Sequence, residues 1–369
     1  MLCVKNTSNN IIRIERGGII KKKILTAVLS FVLMAVLPLL SLRAVNDSID
    51  NAEGKPQMNK VSEPSEKKDV SDISAPKKLS SDENTFIILD TSSGQKITVS
   101  DEEFCIGALA YEMPPSFETE ALKAQCTACY TRFCRIRTNE RQNPDKEMKG
   151  ADFKADLSKG EYYLSNEILK ERWGDLYDEC YQKINAAVDD VFGYVMTDSD
   201  GNCIDAAYHA ISGGQTENAK DIFGNEDEHL ISVASPWDKL VENYQSEYEF
   251  SDEEFQKTIL SKEKDADFSS GPEKVIGKVQ RTPAGTVESI VIGGKSISGT
   301  DMRSLFSLRS ANFSITHQDG KFRIIVLGYG HGVGMSQCGA NAMAEQGADY
   351  QQILKHYYAE ISLIRKSQT

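Results

Sequence analysis

Two periodicities share this chain. Short apolar runs over 85–90 and again over 96–99 are separated by Ser92-Ser-Gly94, which predicts two strands joined by a turn. At Ser100 the pattern changes. Ser100-Asp-Glu-Glu103 reads as a capping box, and Phe104 and Leu109 fall on the inner face of the helix it starts. Pro114-Pro115 must end that helix, because a residue before proline is pushed out of the α region, so Glu112 belongs to its last turn. Ser116 then predicts the cap of a second helix, with Glu118 and Glu120 in its positive first turn and Leu122, Cys126, Cys129 and Phe133 as its buried stripe. Residues 139–158 are polar and predict an insertion or mobile loop. Further along, the pattern predicts a helix over 176–191, strands over 193–197 and 204–208, and a charged segment containing a helix over 251–271. A hairpin over 287–297 turns at Gly293-Gly294, and Thr300 is placed to cap a helix over 301–306. Strands over 312–316 and 322–327 and helices near 340–346 and 350–358 close the chain. Strands and helices mix without a βαβ rhythm, so the fold class expected is α+β, its elements forming a cleft.

The N-terminal region follows different rules. Six basic residues oppose only Glu15 over 1–23, and 24–42 is uncharged with the single proline Pro38. A helix of that length spans roughly 28 Å, enough for a bilayer core. Basic residues before it place 1–23 in the cytoplasm and the remainder outside. A cleaved signal peptide is the competing reading; the nearest cleavage-like site, Leu42-Arg43-Ala44, has a large residue at its −3 position, which favours an uncleaved transmembrane helix. Residues 43–84 are rich in Lys, Glu, Asp, Ser and Pro and predict a disordered stalk. A globular domain is expected over 85–365.

Composition narrows the function classes. The net charge of −13 supplies no basic stripe to meet phosphates, so no nucleic-acid partner is expected. Beyond Cys3 there are seven cysteines without even spacing, a poor match to a disulfide framework. Cys126, Cys129 and Cys134 share a helical stripe, where sulfur usually serves as a small hydrophobe; a zinc site lacks its second pair. A thiol hydrolase built on Cys338 and a histidine lacks an evident third group.

Three segments carry candidate chemistry. Gly328-Tyr-Gly-His-Gly-Val-Gly-Met-Ser-Gln337 packs four glycines around His331, directly after an apolar strand, as either a tight turn or the wall of a site. Tyr208-His-Ala-Ile-Ser-Gly-Gly-Gln-Thr-Glu217 repeats those ingredients around His209: the hydroxyls of Ser212 and Thr216 and the N–H groups of Gly213 and Gly214 suit a polar ligand, or an ordinary hairpin. Glu112 stands at the negative end of its helix; if buried as well, its pKa rises toward what a general acid needs, and otherwise it is a solvated helix-end carboxylate.

These segments, with Glu112-Met-Pro, Glu120-Ala-Leu-Lys-Ala-Gln125 and His356-Tyr-Tyr358, resemble the stage II sporulation protein D (SpoIID/LytB) family from about Cys105 to Tyr358. The resemblance implies a peptidoglycan lytic transglycosylase with Glu112 as catalytic acid; no cofactor or metal is expected. It implies substrate-binding residues at Lys123, Tyr208, His209, Ser212, Gly213, Gly214, Thr216, Glu217, Tyr329, His331 and Gln337. It also implies work on peptidoglycan glycan strands without stem peptides during forespore engulfment, from the mother-cell membrane, beside stage II sporulation proteins P and M. A non-catalytic, glycan-binding amidase enhancer of the same family is the alternative. The family usually has Ala-Arg-Thr where this chain has Cys129-Tyr130-Thr131, so an arginine expected to face the site is missing. Arg132, about 200° further round the helix, is not expected to replace it. The aromatic usual after Ser-Gln is Cys338. The zinc site of some relatives is not carried over, because no histidine lies between 113 and 208.

Overall fold

The structure is a computed structural model that describes residues 84–366. The expected cytoplasmic segment, membrane anchor and all but the last residue of the stalk lie outside the described residues. Among the described residues no helix is long and apolar enough to cross a membrane.

The elements mix strands and helices, as an α+β class requires. β1 (Thr85–Asp90) and β2 (Lys96–Ser100) pair antiparallel, with Phe86 opposite Val99. They lead into α1 (Asp101–Glu112) and the long α2 (Thr119–Gln142), after which β3 (Phe153–Ala155) returns to pair parallel with β1. The inward side chains of this sheet meet the helices in an aromatic cluster. Ring centroids lie 4.4 Å apart for Phe86–Phe104 and 4.8 Å for both Phe104–Phe133 and Phe133–Phe153. Burying each ring contributes about 1.5–3 kcal/mol, which fixes α1 against α2. A buried ionic knot fixes them further. Arg137 of α2 donates to both oxygens of Asp101 at 2.6 and 3.1 Å, and Tyr130 donates to Asp101 Oδ2 at 2.6 Å.

The chain continues through α3 (Asn166–Trp173), α4 (Tyr177–Val191), β4 (Tyr194–Thr197), β5 (Tyr208–His209) and α5 (Ala219–Phe223). Next come β6 (Gln245–Ser251), α6 (Asp252–Lys262), β7 (Ile276–Arg281), β8 (Val287–Ile292), β9 (Lys295–Ser298), α7 (Gly299–Leu305), β10 (Phe313–Gln318) and β11 (Lys321–Leu327). These surround a core of their own, with Phe255 stacked on Phe322 at 3.8 Å. β12 (Met335–Ser336), α8 (Gln337–Glu345), α9 (Tyr350–Tyr357) and β13 (Ser362–Arg365) finish the fold. α9 packs Ile353, Leu354 and Tyr357 onto the alanine face of α2, at Ala121, Ala124 and Ala128.

Local readings fail where a tertiary partner overrides them. Ser100 accepts from the Glu103 N–H, but the Glu103 carboxylate receives the Tyr163 hydroxyl instead of completing a capping box. α2 starts at Thr119 behind Glu118 rather than at Ser116; the Glu118 N–H donates to Asn341 of α8, and Glu120 accepts from the Tyr350 N–H of α9. The stretch 139–158 is ordered by Asp152, which accepts from Arg141 and from the Ile87 N–H, so it supplies β3. Strand 204–208 shrinks to Tyr208–His209. Ser298, not Thr300, caps α7.

Candidate active site

Three chain segments converge on the Glu112 carboxyl. The first is α1, which stops at Glu112 where Met113 turns extended, so the carboxyl projects from the helix end. The second and third are joined by a parallel bridge, with Met335 opposite Tyr208 and Ser336 opposite His209. That register brings Tyr208 and Gln337, remote in sequence, to one carboxyl. The Tyr208 hydroxyl donates to Oε1 at 3.1 Å and the Gln337 carboxamide to Oε2 at 3.1 Å. α2 closes the back with Gln125 and Cys129, one turn apart. Gln125 Oε1 lies 3.5 Å from the Gln337 amide, and Cys129 Sγ lies 3.7 Å from the Tyr208 hydroxyl. The hydrogen-bonded network around Glu112 is therefore neutral.

Burial raises the pKa of Glu112 because the ionised carboxylate loses water; the hydrogen bonds from Gln337 and Tyr208, and the charge of Arg132, oppose this without cancelling it. Burial also pushes the Tyr208 hydroxyl and the Cys129 thiol well up, so both stay neutral.

The glycine segment is shaped by backbone demands. Gly328, Gly330, Gly332 and Gly334 all have positive φ, and a Cβ on Gly330 would stand 2.7 Å from the His209 Cβ. This close approach brings the two imidazoles within 5.8 Å of each other. His209 is buried and Nδ1 faces the Val333 carbonyl at 3.1 Å; a carbonyl only accepts, so Nδ1 carries the proton and Nε2 has no partner among the described residues. The Val333 N–H donates to His331 Nδ1 at 3.0 Å, which puts that ring's proton on Nε2. Burial, aided by the neighbouring His331, lowers His209 to about 3; burial, with the charges of Arg132 and Arg303, lowers His331 to about 4. Both are neutral hydrogen-bonding groups across the ordinary pH range, so neither brings a charge to the site.

The remaining sequence candidates divide. Glu217 is buried; it accepts from Thr282 and the Thr286 N–H through Oε1, while Oε2 has no partner among the described residues. Its own N–H donates to the Gly332 carbonyl, tying the two loops together. Tyr329 is 45% exposed, with the Arg309 guanidinium 4.5 Å over its ring. Gly213 lies against Asn312, and Gly214 takes a positive φ beside Lys239. Ser212 and Thr216 are buried in the framework. Ser212 donates to Asp238 at 2.5 Å, and the Thr216 hydroxyl accepts the Val233 N–H at 2.8 Å. Lys123 is held by Glu120 and Asp190 at 2.8 and 2.7 Å, bracing α2 against the end of α4.

Sequence reasoning missed Asp238, a fully buried carboxylate that also accepts from Ser336 at 2.8 Å and so holds the start of α8 beside the Ser212 loop. It also misjudged α2. Position 130 points away from the site, into the Asp101 knot, whereas Arg132 pairs with Asp205 at 3.0 Å and its charge bears on Glu112. The i, i+4, i+7 spacing of Gln125, Cys129 and Arg132 is the signal that identifies this face. Cys338 has no histidine partner among the described residues, and burial pushes its thiol up to about 11, the opposite of an activated nucleophile.

Residues 91–197 match the SpoIID family model, described as stage II sporulation protein. Stage II sporulation protein D of Bacillus amyloliquefaciens is 37% identical over 262 residues, 71% of this chain and 73% of that protein. The protein of the same name from Bacillus subtilis (strain 168) is 37% identical over 257 residues, 70% of this chain and 72% of its own length. The amidase enhancer of Bacillus subtilis (strain 168) is 25% identical over 306 residues, 70% of this chain and 40% of that protein. The chain belongs to the SpoIID family of sporulation proteins.

Proposed function

We propose that this protein is a peptidoglycan lytic transglycosylase, with Glu112 as its single acid and base. The observation that carries the reading is the Glu112 carboxyl itself: half-buried, raised in pKa, and gripped by two neutral donors from converging segments. Ordinary glycosidases pair such an acid with a second carboxylate that attacks the sugar or activates water. Among the described residues, neither group bonded to Glu112 contacts another carboxylate. Glu112 protonates the oxygen linking N-acetylmuramic acid to N-acetylglucosamine, and the bond breaks with an oxocarbenium-like centre on muramic acid. The C6 hydroxyl of the same sugar attacks that centre and returns its proton to Glu112. The product is a 1,6-anhydro end, formed without water, and the acid is regenerated.

Family membership supports a role on glycan strands already stripped of stem peptides, during engulfment, with stage II sporulation proteins P and M as partners. The 24–42 segment supports a single-pass anchor that holds the domain on the extracytoplasmic face of the mother-cell membrane. The likeness to the amidase enhancer favours a second reading, in which the same site holds glycan without cutting it. Incubating the protein with peptide-free glycan strands and weighing the products decides between them. Anhydro ends that disappear in Glu112→Gln support the enzyme; strand binding with no cleavage supports the second reading.

A further inference from the structure

The cleavage reading leaves one cation beside Glu112 unexplained. Arg132 is the third residue on the α2 face whose other members, Gln125 and Cys129, touch the groups that hold Glu112. Its side chain is 37% exposed, and among the described residues it makes one hydrogen bond, from Nη1 to Asp205 Oδ1 at 3.0 Å. A guanidinium offers five donors in a planar fork, so most of this fork is open. Arg132 shares the helix face that Gln125 and Cys129 turn to the Glu112 site, and its charge lowers the pKa of Glu112, Tyr208 and His331 alike. There it opposes protonation of Glu112, so proton donation is not what it serves. In a chain of net charge −13, a half-exposed arginine tethered beside the reacting carboxyl suits an anion brought by the substrate.

We propose that Arg132, steadied by Asp205, binds the lactyl carboxylate of the muramic acid at the scissile bond and so selects glycan whose stem peptide has been removed. The inference rests on the proposed cleavage. In a strand that keeps its peptides this carboxyl is a neutral amide; removing the peptide frees an anion two oxygens wide. A guanidinium fork matches a carboxylate through parallel N–H···O bonds and gains far less from an amide.

The test uses the full-length purified protein and two substrates: peptide-free strands, and the same strands with the lactyl carboxyls coupled to methylamine. The wild type should lose about tenfold or more in kcat/KM on the amidated strands, chiefly through KM. Arg132→Gln should cut both strands at the wild type's amidated rate, with no preference between them. Arg132→Lys, which keeps the charge and loses the fork, should keep part of the preference, and it decides the matter if the glutamine variant melts early. Equal cleavage of both strands by the wild type, or an undiminished preference in both variants, overturns the assignment and leaves the cleavage reading standing. Cleavage of neither strand by the wild type overturns both.

Discussion

Replacing Tyr208 with phenylalanine removes one of the two hydrogen bonds that oppose burial at Glu112. The hydroxyl donates to Oε1 and the Gln337 carboxamide to Oε2, each at 3.1 Å, and each lowers a pKa that burial raises. A hydrogen bond to a charged group is worth about 1.5–3 kcal/mol. At 3.1 Å on a half-buried carboxyl that water can still reach, the lower end applies, which converts to an upward shift of about one pKa unit. Phenylalanine keeps the ring and its packing, so the backbone bridge between Tyr208 and Met335 is retained. A general acid must be protonated to act, so kcat/KM declines on the alkaline side with the pKa of Glu112 in the free enzyme. The assay is the rate of anhydro-end formation on peptide-free strands, followed from acid to mildly alkaline pH. The alkaline limb of Tyr208→Phe should move up by about one unit. A limb that stays in place, or moves down, refutes the reasoning.

Other outcomes test the frame around that site. Asp101→Ala leaves Arg137 buried without its charged partner and should cost about 3–5 kcal/mol in urea unfolding, lowering activity through loss of fold rather than through KM. Gly330→Ala places a Cβ against His209 at a φ of +113°, and should cost about 2 kcal/mol or more, read as a lowered denaturation midpoint. Because folding raises the Glu112 pKa, its contribution to stability is intact below the unfolded carboxyl value, about 4.3, and is lost as pH rises through the folded value. Glu112→Gln, which cannot ionise, should therefore melt higher than the wild type above that window and close to it below, in paired thermal scans.

Much of the site could be read along the chain because its signals are local. Pro114-Pro115 end α1 wherever the rest of the protein lies, so Glu112 had to project from a helix end. The four glycines before Met335 mark backbone that only glycine adopts easily, and each does take a positive φ. What escaped depends on partners distant in sequence. β5 and β12 are two residues long, too short for alternation to show, yet their pairing brings Tyr208 and Gln337 to one carboxyl. β6 alternates Ser246, Tyr248 and Phe250 with the polar Gln245, Glu247, Glu249 and Ser251, a pattern with only two apolar positions to mark it. Ser212 and Thr216 carry hydroxyls that suit a ligand, but the buried Asp238 and the Val233 backbone claim them. Arg132 was misplaced by anchoring α2 on position 130, whose tyrosine turns to the Asp101 knot.

The central claim is that Glu112 cleaves the glycan alone, with the sugar's own C6 hydroxyl in place of water. Running the reaction in water enriched in heavy oxygen and weighing the new muramic ends tests it most directly. The account predicts ends that carry no heavy oxygen and are lighter than a hydrolysed end by one water. Heavy oxygen on the new anomeric carbon would contradict it, because an activated water, and a second group to activate it, would then take part.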